Sequence, residues 1–94
     1  MNRYFDRNGL AMDDEIMQKI IYAVRIGIPH LEYNRAYQLK QIVELVYPNW
    51  WNLQDRYKMR SAGLTFRRLV DDDEFPELVL RDRNKNPKKY IRIQ

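Results

Sequence analysis

Cysteine is absent from this chain, which removes disulfides, thiolate nucleophiles and cysteine-ligated zinc together. Histidine occurs once, as His30 beside Pro29, with no nucleophile motif near it, so it reads as a surface or packed residue and not as a catalytic base. Only three glycines are present, too few for a glycine-rich phosphate loop, and the paired-histidine helix motif of metalloenzymes is missing. No apolar run approaches the roughly 18 residues that a membrane-spanning helix needs. The amino-terminal MNRYFDRNGLAM lacks the continuous apolar stretch of a secretory signal, which makes the cytoplasm the expected location. Enzymatic activity, a cofactor and a metal are therefore not expected.

What remains is one small folded domain. Ninety-four residues bury roughly 60 to 70% of their unfolded surface, enough for one modest core. With 45% hydrophobic and 32% charged residues, the composition is that of a folded protein and not of a disordered chain. The net charge of +4 has an uneven source. Between Arg81 and Lys89, five cations face Asp82 alone, a surplus of +4 that leaves the rest of the chain neutral overall. A partner that carries negative charge fits this distribution.

The periodicity predicts a helix over residues 13–27, after an extension over residues 1–12. Ile16, Met17, Ile20, Ala23 and Val24 form one apolar stripe, and Gly27 with Pro29 ends the run. The link IPHLEY is extended because Pro29 disfavours helix at Ile28, and it could supply a short strand. A second helix is expected over 34–47, capped by Asn34 and stopped by Pro48, with Ala36, Leu39, Ile42, Val43 and Val46 facing inward. In PNWW a tight corner follows, where Trp50 and Trp51 seal the core. A third helix is expected over 52–70, capped by Asn52, with Met59, Ala62, Gly63, Phe66, Leu69 and Val70 inward. Glycine within a helix is costly, and a close crossing of the second and third helices at Gly63 would explain it. The period then falls to two residues in 77–94, around a turn of Asn, Lys and Pro, which reads as an antiparallel hairpin.

Residues 56–68 hold Arg56, Lys58, Arg60, Arg67 and Arg68 and no acid. On a regular helix Tyr57, Arg60, Ser61, Leu64, Arg67 and Arg68 lie opposite the core stripe, a compact basic face. Arginine's planar fork suits phosphate or the edge of guanine, while tyrosine and serine add hydrogen bonds to phosphate. The order of elements resembles the winged helix-turn-helix superfamily, at the level of topology over residues 13–94. That resemblance implies an α+β fold of three helices and a two-stranded wing, with the third helix in the major groove of DNA and the wing on the neighbouring backbone. It assigns DNA contacts to Arg56, Tyr57, Arg60, Ser61, Arg67 and Arg68 on the helix, and to Arg83, Lys85, Lys88 and Lys89 on the wing. The function implied is a small DNA-binding protein, a transcriptional regulator or a recombination accessory factor. Asp71, Asp72, Asp73 and Glu74 interrupt this pattern and would repel phosphate. They suit a second reading, a winged-helix protein-interaction module such as a small phage-type protein that binds a host factor.

Overall fold

The computed structural model describes residues 14–81 and 87–94. The extension over residues 1–12 lies outside them, as do Arg83 and Lys85 of the hairpin tip. Three helices, α1 (Asp14–Gly27), α2 (Leu39–Glu44) and α3 (Arg56–Asp71), accompany three strands, β1 (Ala36–Tyr37), β2 (Leu78–Leu80) and β3 (Tyr90–Arg92). The fold is mixed α+β. Both partners of β3 run antiparallel to it, so the sheet order is β1-β3-β2. Among the described residues no helix is long and apolar enough to cross a membrane.

The expected stripe of α1 is buried at all five positions, and the helix ends near Gly27 as its glycine and proline predict. An added Cβ at Gly27 would lie 3.2 Å from Ile42 Cγ2 and 3.3 Å from the Ile42 carbonyl oxygen. This is where two elements meet at backbone distance. At Gly63 such an atom would meet nothing within 4 Å, so the expected helix crossing there does not occur. Gly63 therefore lowers helix stability by about 1 kcal/mol relative to alanine with no packing return within the described residues.

The second helix is shorter than its pattern. Ala36 and Tyr37 leave the helical register to pair with Ile91 and Tyr90, giving β3 the second partner that its free edge lacked. Asn34 does not cap; it sits at φ 65° in the turn before β1. The cap is a reciprocal pair instead, in which the Gln38 side chain accepts from the Gln41 backbone and Gln41 Oε1 accepts from the Gln38 amide at 2.7 Å.

The third helix begins later than expected because residues 51–53 form a 3₁₀ turn. Asp55, and not Asn52, is its cap, its Oδ1 accepting the Lys58 amide at 3.0 Å. Asp55→Ala is expected to lower stability by about 1 kcal/mol, and Asn52→Ala to leave it unchanged, as measured by thermal unfolding of both variants. At the other end, Glu74 N–H donates to Leu69 O at 3.0 Å and Asp73 N–H to Val70 O at 3.1 Å, with Asp73 at φ 61°. This is a Schellman turn with aspartate at the position that glycine usually fills.

The hairpin pairs as expected, Leu78 with Arg92, Val79 with Ile91 and Leu80 with Tyr90. Its inner residues complete the core. Phe66 is fully buried between Phe75 and Tyr90, with ring centroids 5.1 and 5.2 Å away. Trp50, Trp51 and Leu69 pack half-buried against the same cluster. Arg92 anchors the end of β3, donating to the carbonyl oxygens of Pro29 at 3.3 Å and Leu31 at 3.0 Å while lying over the Tyr33 ring.

Candidate nucleic-acid interface

Because α3 runs unbroken from Arg56 to Asp71, its helical wheel stands. Arg56, Arg60, Leu64 and Arg68 are spaced four apart and form one row about 18 Å long. The three arginines of the row are exposed, and Leu64 is half-buried between them. Beside the row stands Tyr57, 79% exposed, an aromatic plane flanked by Arg56 and Arg60. Ser61 is half-buried, and its carbonyl accepts the Thr65 hydroxyl at 2.9 Å. The basic face is thus narrower than the sequence predicts.

Arg67 departs from expectation. It is only 9% exposed, and its Nε has no hydrogen-bond partner among the described residues. Its helical angle in fact falls beside the core stripe and not opposite it, and Tyr90 at the start of β3 lines the same groove. Tyr90 lies against it. Burial pushes the Tyr90 phenol far above its ordinary range, with the Arg67 charge pulling it down and Asp71 pushing it up. Arg67 is therefore not part of the outward face.

In the hairpin, Arg81 N–H donates to Lys89 O at 2.9 Å, closing the strands. Lys89 is exposed and Lys88 half-buried. Lys88 lines a groove with Arg60 and Arg67 of α3, and Lys40 of α2 stands at the same groove. Nothing local in the sequence marks Lys40, because only tertiary packing brings the start of α2 to this groove. Asp71, Asp72, Asp73 and Glu74 are all exposed at the far end of α3. They lie about 24 Å along the axis from Arg56, given the helical rise per residue. Arg68 Nε is 3.9 Å from Asp72 Oδ2, a long contact between two exposed groups. Cations therefore run along α3 from Arg56 in its first turn to Arg68 in its last, and the acids follow at its end.

No family model, curated protein or solved structure matches this chain.

Proposed function

We propose that this protein binds double-stranded DNA in the manner of a winged helix, with the first half of α3 at base edges and the β2–β3 hairpin on phosphate. One observation carries the reading: the exposed row of Arg56, Arg60 and Arg68, with Tyr57 beside it, stands on the third helix of a three-helix fold whose sheet runs β1-β3-β2. Winged helices present their third helix to the major groove, and the residues nearest its amino terminus reach the bases. Here those residues are basic, and the acids sit at the opposite end. A role as transcriptional regulator or recombination accessory factor follows from such binding.

Titration with random-sequence duplex at two salt concentrations tests this. Affinity should fall steeply with salt, by a slope of about 0.9 for each phosphate neutralised. Absent or salt-insensitive binding would favour a second reading, a protein-interaction module. That reading draws on the exposed Asp71, Asp72, Asp73 and Glu74, which the Schellman turn presents beside Arg68.

A further inference from the structure

Two features of α3 cost stability without return among the described residues. Gly63 stands in the helix interior with open space where its side chain would be. Arg67, one turn later, is buried, and its Nε has no partner among the described residues, which carries a desolvation cost. Both line one groove of about 580 Å³ between α3, the start of α2 and the approach to β3. That size lies within the range of small-molecule sites, about 300 to 1,000 Å³. Among the described residues its cations are Lys40, Arg60, Arg67 and Lys88, and none of the described residues that line it is an acid. Leu39, Met59 and Trp51 supply an apolar floor.

We infer that this groove binds a nucleotide, the phosphoryl group on Arg67 and the base against the apolar floor over Gly63. A doubly charged phosphate suits these four cations, and the guanidinium fork matches its oxygens. The flat base suits a floor with aromatic and aliphatic surface, and a side chain at position 63 would occupy its space. Asp71, whose charge acts on the Tyr90 phenol in the opposite direction to that of Arg67, is the acid that works against the anion. The nucleotide has two sources, a free mononucleotide or the phosphorylated end of a DNA strand, and they share this chemistry. The inference rests on Arg67 and Gly63 and shares only Arg60 with the outward row, so loss of duplex binding through Arg56 and Arg68 leaves it intact.

The test follows the Arg67 Nε–H resonance and the melting temperature during titration with adenosine monophosphate, and with blunt duplexes with and without a 5′ phosphate. The resonance should shift and melting should rise with the mononucleotide, with the phosphorylated duplex only, or with both, which identifies the source. Arg67→Met should weaken nucleotide binding about 10- to 100-fold and raise the melting temperature of the unliganded protein, a gain that a structural arginine would not give. Gly63→Leu, which keeps every charge, should weaken binding about 10-fold or more. No shift with any of the three ligands, or full binding by either variant, overturns the inference. Inorganic phosphate binding as tightly as the nucleotide overturns the role of the apolar floor.

Discussion

Phe66→Ala should lower the unfolding free energy by about 3 to 5 kcal/mol. The ring is fully buried, tilted against Phe75 at 5.1 Å and edge-on to Tyr90 at 5.2 Å, so one side chain joins α3, the loop after it and β3. Its loss removes apolar contact and leaves a cavity bounded by two rings that cannot both collapse inward. A domain of this size has about 5 to 15 kcal/mol in total, so the variant should lie close to unfolding at moderate temperature. Leu69→Ala, at a half-buried position, should cost clearly less. Urea denaturation midpoints of the two variants decide the matter. A Phe66→Ala midpoint near that of the native protein would mean that the three-ring contact is not central to the core.

The combined variant Arg56→Ala, Arg60→Ala, Arg68→Ala should lose at least about 100-fold in affinity for random duplex, taking each charged contact at about 1 kcal/mol or more. Its salt slope should flatten by about 0.9 for every phosphate contact removed. All three side chains are exposed, so the unfolding free energy should change by no more than about 0.5 kcal/mol per substitution. Isotherms at two salt concentrations, read beside a melting curve, separate lost binding from lost folding. Unchanged affinity and slope would exclude the outward face of α3 as a nucleic-acid surface and bring the acidic end forward.

The features legible in the sequence are those whose cause is local. The α1 stripe and the alternation around the hairpin follow from helix and strand geometry within a few residues, and the acid-free stretch from Arg56 to Arg68 shows its charge directly. β1 was not legible as placed. Its two residues read as the first turn of a helix, and only the edge of β3, far along the chain, draws them into a strand. Arg67 and Gly63 failed for a related reason. A helical wheel gives an angle, but whether a position beside the core stripe is covered or left open depends on tertiary surroundings, and here Arg67 is buried while no described residue approaches Gly63. The Asn52 cap was displaced because the 3₁₀ turn takes up the residues that would have begun the helix.

The central strand of the sheet also bears on the order of folding. β3 closes a short loop to β2, where Val79 faces Ile91, and a long one to β1, where Ala36 faces the same Ile91. The longer closure costs about 1.3 kcal/mol more in chain entropy, as loop lengths of 12 and 55 residues compare. β1 offsets that with two residue pairs, against three for β2. The hairpin is therefore expected to form first and β1 to join last, an order that hydrogen exchange of the Tyr37 and Leu80 amides checks.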